Sequence, residues 1–313
     1  MRVAITGSMG FIGSYLTPAL MQAGSEVVGI VKPGSKDIPK GPPVFIPADI
    51  STGKGLHEAL SGADVVVHLA ACTHFNKEWT KDPLAVFRRV NVEGTRNVFR
   101  VAAQSGVKQF IHMSSVKAVG EGSGKMLDEN DICLPKTPYG ISKLESENVV
   151  REEAGRNGMR AVVLRLPLVY GPGNRGNLLR MIQWASRGLP FPLFQGDNIR
   201  SVLYVGNAVA GISAVLKNGP ARIATYFLKD RQDFSTRLIY SLICRELERS
   251  PRFLNIPASF VRVGGILSED FRRITDSFQV SAEKIKTEIG FTPPFSTEEG
   301  IAMTVKWYRG SAR

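Results

Sequence analysis

The first 170 residues alternate between short apolar runs and longer stretches in which the apolar positions have helical spacing. The apolar runs predict strands at 2–6, 26–31, 44–46, 64–71, 109–114 and 161–166. The stretches between them predict helices at 12–23, 56–60, 83–105 and 139–154. Strands and helices that alternate in this way indicate an α/β fold, in which helices cover both faces of a doubly wound parallel sheet.

The pattern changes after Tyr170, where glycine and proline become frequent and the elements shorten. Strands are still predicted at 201–205 and 225–228, with a helix at 207–217, so this part of the chain is expected to return to the main sheet. The prediction is a sheet domain of residues 1–170, rejoined by 198–245, and a smaller C-terminal lobe of residues 171–197 and 246–313.

Composition narrows the class of protein. Of the 313 residues, 43% are apolar and 22% are charged, which is ordinary for a globular protein. No apolar run is long enough for a membrane helix, and the chain starts with a strand rather than a secretion signal. Three widely spaced cysteines suit a reducing compartment, so a cytoplasmic protein is expected. No Cys/His cluster has metal-ligand spacing, and no metal is predicted.

The net charge of +12 raises the question of an anionic partner. Lysine and arginine are scattered along the chain, and no nucleic-acid-binding module is recognisable, so nucleic acid is not the expected partner. A positive field also attracts a polyanionic small molecule or an anionic membrane surface. Charge alone does not choose between these.

A glycine-rich segment, Thr6-Gly-Ser-Met-Gly-Phe-Ile-Gly13, joins the first strand to the first helix. Gly7 permits a tight turn, Gly10 lets the backbone approach a pyrophosphate, and Gly13 lets the helix pack closely on the strand. The start of the helix adds free N–H groups and a partial positive charge. The strand–loop–helix context therefore predicts a dinucleotide site.

The G-x-x-G-x-x-G spacing resembles that of the extended short-chain dehydrogenase/reductases, and other landmarks of that superfamily follow in order. They are Asp49-Ile50, His68-Leu-Ala-Ala71, Asn91 in Asn-Val-Glu-Gly-Thr, and Tyr139-Gly-Ile-Ser-Lys143. The resemblance implies a Rossmann fold that binds a nicotinamide dinucleotide. Besides the three glycines, the cofactor contacts that it implies are Phe11, Ile12, Asp49, Ile50, Leu69, Ala70, Ala71, Asn91, Tyr139 and Lys143.

The end of the second strand bears on the choice between NAD and NADP. Many NAD-preferring relatives carry an acidic residue there, whereas this chain has Val31-Lys32-Pro-Gly-Ser35-Lys36. Lys32, Ser35 and Lys36 could meet a 2′-phosphate. NADP(H) is therefore the expected preference, and NAD(H) stays open.

Tyr139 and Lys143 lie four residues apart at the start of a helix, so their side chains share one face. A phenol with a pKa of about 10 is a poor base near neutral pH, but a nearby ammonium group favours the phenolate and lowers that pKa. Tyr139 can then exchange a proton with a substrate hydroxyl or carbonyl. Ser115 follows strand 109–114 and can hydrogen-bond the same oxygen. Ser115, Tyr139 and Lys143 are the predicted catalytic set.

The later part of the chain resembles the nucleotide-sugar epimerase/dehydratase/reductase family at 164–173, 177–179, 200–205 and 272–273. In that family an asparagine at a helix start and two arginines hold the nucleotide diphosphate. The resemblance carries these roles to Asn177, Arg200 and Arg272, with Arg273 as an alternative to the last. A guanidinium fork and a helix N-terminus both suit phosphate oxygens.

Two further candidates and three departures from the family qualify this picture. Thr73 and His74 follow the fourth strand on a loop expected to face the nicotinamide, where they could touch substrate.

Leu168 stands where many 4-epimerases have an asparagine, and Gly206 where an aspartate often follows the valine. No Asp-Glu or Thr-Glu pair follows Ser115, which argues against 4,6-dehydration.

The sequence thus predicts an NAD(P)-dependent oxidoreductase or epimerase that acts at C4 of a UDP-hexose-type nucleotide sugar. One alternative is an NADPH-dependent ketoreductase of a non-nucleotide carbonyl, such as a flavanone-like ketone, which the Val31-Lys32-Pro-Gly loop also resembles. A catalytically inactive dinucleotide sensor or scaffold is a third reading, and the intact Ser/Tyr/Lys set argues against it.

A homodimer is also predicted, through a four-helix bundle formed by 83–105 and 139–154 of both subunits. These helices carry Leu84, Val92 and Phe99 besides their inner apolar stripe, more than one contact with a sheet should use. Family relatives pair in this way.

Overall fold

The computed structural model describes residues 1–73, 82–122, 124–194, 198–220, 222–256 and 277–311. Its centre is a seven-stranded sheet in which every strand is parallel to its neighbours. In spatial order the strands are β3 (Val44–Pro47), β2 (Glu26–Val31), β1 (Arg2–Thr6), β4 (Val65–His68), β5 (Gln109–Ser115), β7 (Arg160–Leu166) and β12 (Ala224–Phe227). This is the strand order of a Rossmann sheet, so the predicted doubly wound fold is confirmed.

Alternate residues of the central strands feed two cores, one on each face of the sheet. Val3 and Ile5 of β1 pack in one core, and Ala4 in the other. The first core is closed by α1 (Phe11–Gln22), α7 (Val205–Asn218) and α9 (Glu283–Ile289). The second is closed by α2 (Leu56–Leu60), α4 (Gly94–Gln104) and α5 (Pro138–Asn157). The carboxyl ends of the strands therefore share one edge, where a site can form.

The helix predicted at 83–105 is interrupted. It consists of α3 (Pro83–Phe87), a π-helical segment Arg88–Glu93, and α4. Asn91 is buried inside the π-helical segment. Such segments occur often at functional sites, because they redirect side chains within a helix.

Several predicted strand ends differ from the structure by one residue, and the end of β4 differs by three. Strand β4 stops at His68 rather than at residue 71, level with the end of its other neighbour β1 at Thr6, although β5 continues to Ser115. Val205 begins α7 rather than ending a strand, because its partner β8 (Leu168–Tyr170) pairs with only the three residues of β11 (Val202–Tyr204).

A third core holds the smaller lobe together. It contains apolar side chains of α6 (Asn177–Ser186), α8 (Thr236–Glu246) and α10 (Thr297–Ser311), together with a parallel pair of strands, β9 (Phe191–Phe194) and β14 (Phe253–Ile256). Two further pairs are short, β6 (Met126–Leu127) with β15 (Gln279–Val280), and β10 (Ile199–Arg200) with β13 (Phe234–Ser235). The limits of the two domains stay a prediction. Within the described ranges, no helix has the length and apolar character needed to cross a membrane.

Candidate active site

The glycine loop forms a cradle of bare backbone between β1 and α1. Gly7 has a φ of +70°, and a Cβ atom there would lie 2.9 Å from the backbone nitrogen of Ala70. A Cβ on Gly13 would overlap the carbonyl oxygens of Gly7 and Ser8. Gly7 is thus required by a left-handed turn and close packing, and Gly13 by close packing, while a Cβ on Gly10 would lie 3.0 Å from the Gly7 carbonyl oxygen. What remains open is a backbone surface at the start of a helix, which fits a dinucleotide pyrophosphate.

Beside this loop lies a cleft that encloses about 550 Å³, part of it open to solvent. Its lining residues are Thr6, Gly7, Met9, Gly10, Ile30, Val31, Lys32, Ser35, Ala48, Asp49, Ile50 and Ala70. Of the predicted cofactor residues, Gly7, Gly10, Lys32, Ser35, Asp49, Ile50 and Ala70 meet here. The cleft wall does not include Phe11, Ile12, Gly13, Lys36, Leu69 or Ala71. Met9 was not predicted, because an unbranched apolar residue in a glycine loop carries no chemical signal.

Asp49 is held in place at the cleft wall by Ser51. The backbone nitrogen and hydroxyl of Ser51 donate to Asp49 Oδ1 at 2.9 and 2.7 Å. The hydrogen bonds from Ser51, with a smaller effect from the charge of Lys32, lower the pKa of Asp49. Asp49 is therefore an anionic acceptor, suited to hydroxyl or amino groups of a nucleoside.

Two buried hydroxyls orient His68 beneath the loop that follows β4. Thr6 Oγ1 accepts from the Ala70 backbone nitrogen at 3.2 Å and hydrogen-bonds His68 Nδ1 at 2.7 Å. On the other side His68 Nε2 lies 3.1 Å from Thr95 Oγ1, which itself donates to the Asn91 carbonyl. Because Thr95 Oγ1 gives its own proton to the Asn91 carbonyl, it accepts from His68, so the proton of the neutral imidazole lies on Nε2. Burial, with the nearby charge of Lys143, lowers the pKa of His68 to about 3, so the ring is neutral.

Asn91 ties the loop after β4 to the helix that carries Tyr139. Its Oδ1 accepts from the Cys72 backbone nitrogen at 2.7 Å, and its Nδ2 donates to the Cys72 carbonyl and to Ser142 Oγ, both at 3.0 Å. Ser142 Oγ donates in turn to the Tyr139 carbonyl at 2.8 Å. Thr73 is the next residue along this loop, and the predicted contact His74 lies outside the described residues.

Helix α5 begins immediately before Tyr139. Thr137 caps it by accepting from the Gly140 backbone nitrogen at 3.2 Å, and Pro138 occupies the first turn, where a missing N–H costs nothing. The Tyr139 ring packs edge-on against Phe87, with centroids 5.8 Å apart. The helix start thus fixes the position of Tyr139 at the mouth of the sheet edge.

Lys143 reaches from α5 to the end of strand β5. Its side chain is buried, and Nζ donates to the Met113 carbonyl at 2.6 Å, two residues before Ser115. Burial lowers the pKa of Lys143 to about 8, although the charge of Glu147 opposes this. Ser115 ends β5, half-buried, and its Oγ accepts from the Lys117 backbone nitrogen at 3.2 Å. Ser115 and Lys143 are therefore joined through one strand end.

A fully buried carboxylate, Glu147, anchors the same helix and was not predicted. It accepts from Ser114 Oγ at 2.6 Å, from Arg165 at 2.8 and 3.0 Å, and from Arg151 at 2.9 Å. Burial by itself raises the pKa of Glu147, but the hydrogen bonds and charge of Arg165 outweigh it, and the pKa is lowered. The sequence offered two signals for this pair. Glu147 lies one helical turn after Lys143, and Arg165 interrupts an otherwise apolar strand.

A second cleft, of about 510 Å³ including space open to solvent, lies outside the seven-stranded sheet, among β8, β10, β11, α6, α8 and α10. It is lined by Leu168, Tyr170, Asn177, Leu178, Met181, Arg200, Val202, Thr236, Ile239, Thr297 and Ile301. Asn177 begins α6, and Arg200 ends β10. The structure therefore brings together these two predicted substrate residues, 23 positions apart, in one cleft with Leu168. The predicted contact Arg272 and its alternative Arg273 lie outside the described residues.

A buried aspartate, Asp230, supports the wall of this second cleft. Tyr170 donates to its Oδ2 at 2.9 Å, while the Tyr204 backbone nitrogen and Asn207 Nδ2 donate to its Oδ1 at 2.8 and 2.7 Å. Gly206 faces the Tyr204 ring, where a Cβ would lie 2.6 Å from a ring carbon. The family's aspartate therefore has no room at position 206.

Comparisons with known proteins agree with this architecture. The sequence model of the NAD dependent epimerase/dehydratase family matches residues 3–225. The UDP-glucose 4-epimerase of Vibrio cholerae is 30% identical over 310 residues, covering 97% of this chain and 94% of that protein. The N-acetyl-alpha-D-glucosaminyl-diphospho-ditrans,octacis-undecaprenol 4-epimerase of Escherichia coli O157:H7 is 28% identical over 324 residues, covering 98% and 95%. The solved structure of MoeE5 in complex with UDP-glucose and NAD has a TM-score of 0.82 at 26% identity, over 100% of both chains.

The sheet order and the glycine cradle define an NAD(P)-dependent enzyme of the extended short-chain dehydrogenase/reductase type. Within that class, the chain belongs to the NAD-dependent epimerase/dehydratase family of nucleotide-sugar enzymes. The predicted family and the predicted nicotinamide cofactor are both confirmed.

Proposed function

We propose that this enzyme oxidises and reduces C4 of a hexose carried on a diphosphate, with UDP-hexoses as the first substrates to test. The observation that carries the proposal is the second cleft, in which Asn177 and Arg200 stand together beside apolar walls. An amide and a guanidinium suit phosphate oxygens, and the apolar wall suits the flat face of a base. Two relatives are named as 4-epimerases, one of a UDP-sugar and one of a lipid-diphosphate-linked sugar, so the shared group is a sugar diphosphate.

In the proposed reaction Ser115, Tyr139 and Lys143 handle the sugar oxygen. During oxidation the C4 hydroxyl gives its proton to the Tyr139 oxygen as the C4 hydrogen leaves as hydride. The nicotinamide dinucleotide, when bound, supplies the hydride acceptor and donor. Ser115 orients the oxygen by a hydrogen bond, and the Lys143 ammonium stabilises the Tyr139 phenolate.

The stereochemical outcome depends on how hydride returns to the 4-keto sugar. Return to the opposite face gives the C4 epimer, and Tyr139 then gives the proton back to the new oxygen. Reduction by external NADPH gives a net reductase instead. Both outcomes use the same side chains, so product analysis decides between them.

The test of the catalytic set is Tyr139→Phe, which removes only the ionisable oxygen. Turnover is expected to fall by roughly 10² to 10⁴, the range for loss of a positioned general acid/base, while dinucleotide binding persists. The matched control is Tyr308→Phe in α10, whose hydroxyl contacts Ser186 away from both clefts. The assay follows isotope from labelled cofactor into a panel of UDP-hexoses and their 4-keto derivatives. A Tyr139→Phe enzyme with wild-type turnover on its best substrate would contradict the mechanism.

The test of the substrate class is thermal unfolding with added UDP, UDP-hexoses and simple aryl ketones. Marked stabilisation by UDP, reduced in Asn177→Ala and Arg200→Ala, supports a sugar diphosphate. No shift of the unfolding temperature with any nucleotide, together with turnover of a simple ketone, supports the ketoreductase alternative.

The cytoplasmic location of the protein stays a prediction.

A further inference from the structure

Three large exposed apolar side chains lie on segments of the smaller lobe that contact one another. Trp184 and Leu189 are each 40% exposed, and Leu254 is 55% exposed. Trp184 Nε1 donates to the Pro190 carbonyl at 3.0 Å, and Leu254 lies opposite Pro192 in the pairing of β14 with β9. We call these three residues the Trp184 patch. Single exposed apolar residues are normal on a surface, but a contiguous group marks an interaction site.

Exposed arginines border the Trp184 patch. Arg252 precedes β14, and its carbonyl accepts from the Phe191 backbone nitrogen at 2.8 Å. The Arg249 guanidinium would lie 3.1 Å from a Cβ on Gly188, and Arg187 directly follows α6. Among the described residues, no carboxylate forms an ion pair with any of these three arginines.

The nearby glutamates are already paired. Glu246 pairs with Arg245 at 3.2 Å, and Glu248 with Arg309 at 3.0 Å. The rim therefore adds a local positive charge to a chain whose net charge is +12.

Helix α6 connects this patch to the substrate cleft. Asn177, Arg180, Trp184 and Arg187 follow one another at helical spacing along one side of α6, opposite its buried residues. Asn177 lines the cleft, and Trp184 lies seven residues further along, about 10 Å away at 1.5 Å per residue. A surface bound to the patch would thus lie about 10 Å along α6 from Asn177, which lines the cleft.

We propose that the Trp184 patch and its arginine rim dock the enzyme on an anionic lipid bilayer. Tryptophan rings are enriched at the membrane interface, and the Trp184 ring is exposed while its N–H is satisfied by the Pro190 carbonyl. Arginines near an anionic leaflet add attraction that falls with salt. Docking places the cleft at headgroup level, where a sugar diphosphate attached to a lipid is within reach. That last consequence rests on the proposed function, whereas the docking itself does not.

The experiment is flotation of the full chain with vesicles, without substrate. Wild-type protein is expected to float with phosphatidylcholine vesicles that contain phosphatidylglycerol, less so at high salt, and not with phosphatidylcholine alone. Arg249→Ala/Arg252→Ala should lower the partition coefficient roughly tenfold or more, since each arginine contributes separately. Leu254→Ser should lower it too, because an apolar contact with the interface is lost.

The matched control, Lys217→Ala/Arg222→Ala, removes the same charge near the far edge of the main sheet and should leave flotation unchanged. Thermal unfolding of every variant checks folding. The proposal is wrong if wild-type protein ignores the anionic vesicles or if the control loses as much binding. It is also wrong if Leu254→Ser binds the vesicles as well as wild type. The binding would then be only the attraction of a basic protein to an anionic surface, without the apolar contact that the proposal requires. A changed oligomeric state in the Arg249/Arg252 variant would make the patch a subunit contact and overturn the proposal.

Discussion

Lys143 carries an ammonium group in a place almost without water. Burial lowers its pKa from 10.5 to about 8. Between these two values the unfolded chain holds a proton that the folded chain has lost, so the folded state gains stability as the pH rises. The buried charge is therefore a cost to folding below pH 8.

Lys143→Met is expected to be stabilised relative to wild type most strongly below pH 8. As the pH rises from 8 to 10.5, that advantage should shrink by about 3 kcal/mol. Urea unfolding of wild type and Lys143→Met across this pH range measures the difference. A Lys143→Met difference that does not vary with pH would show that the lysine is not buried as a titrating group. The same variant should also lose turnover, because in the proposed mechanism the Lys143 ammonium stabilises the Tyr139 phenolate.

The two lysines after β2 are predicted to differ in their effect on cofactor choice. Lys32 lines the cleft beside the glycine loop, where Ser35 Oγ donates to its carbonyl at 2.6 Å, whereas Lys36 is exposed outside the cleft wall. Lys32→Ala should weaken NADP(H) binding more than NAD(H) binding, because a 2′-phosphate loses its cation. Lys36→Ala serves as the matched control. Titrations in which Lys32→Ala weakens both cofactors equally would refute the predicted NADP(H) preference.

At the scale of elements, helix α5 is attached to the sheet by charge as much as by apolar packing. Glu147 is fully buried, and Arg165 of β7 is 2% exposed. Ser114 of β5 joins them, so one carboxylate ties α5 to two strands. Tyr139 and Lys143 lie on the turns just before this attachment. The ion pair therefore positions the predicted catalytic face of the helix.

Glu147→Gln should destabilise the fold by about 3 to 5 kcal/mol, because Arg165 is left buried without its counter-charge. Glu152→Gln on the exposed side of the same helix, which loses pairs with Arg156 and Arg96, should cost less than about 1 kcal/mol. Denaturant unfolding at neutral pH compares the two. Since the pKa of Glu147 is lowered, its stabilisation is present at neutral pH and is lost as the pH falls through that pKa. Similar costs for both variants would mean that the buried pair does not anchor α5.

At the scale of the whole molecule, the homodimer stays a prediction, but part of its argument was wrong. Val92 and Phe99 were expected to face outward, yet they are 7% and 0% exposed, and Phe99 packs on Phe110 with centroids 4.7 Å apart. Phe99 faces inward because the sheet and α5 cover more of α4 than its sequence indicates, and Val92 is buried in the π-helical segment before α4. The exposed side of the helices instead carries ion pairs such as Arg88 with Glu145 at 2.6 Å.

A dimer through α3, α4 and α5 is therefore expected to have a partly charged interface and to weaken with salt. Light scattering at micromolar protein, at low and high salt, tests this. The Trp184 patch lies on the smaller lobe, so Arg249→Ala/Arg252→Ala serves as a control that should leave the mass unchanged. A monomer at low salt would contradict the prediction.

The sequence alone determined the features that depend on neighbouring residues. The strand–loop–helix glycine pattern, the capped start of α5 and the four-residue spacing of Tyr139 and Lys143 follow from local geometry, which the chain carries in any context. The alternation of apolar strands with helices likewise indicated the parallel sheet, because such strands must be covered on both faces.

Only the tertiary structure decided the contacts between residues far apart in the chain. The order of the strands places Arg165 against Glu147, and the smaller lobe brings Asn177 beside Arg200. Packing also turned Phe99 inward and lowered the pKa of Lys143, since both depend on how much water the neighbouring elements exclude. Burial is a property of the assembled layers, and no local pattern of apolar residues specifies it.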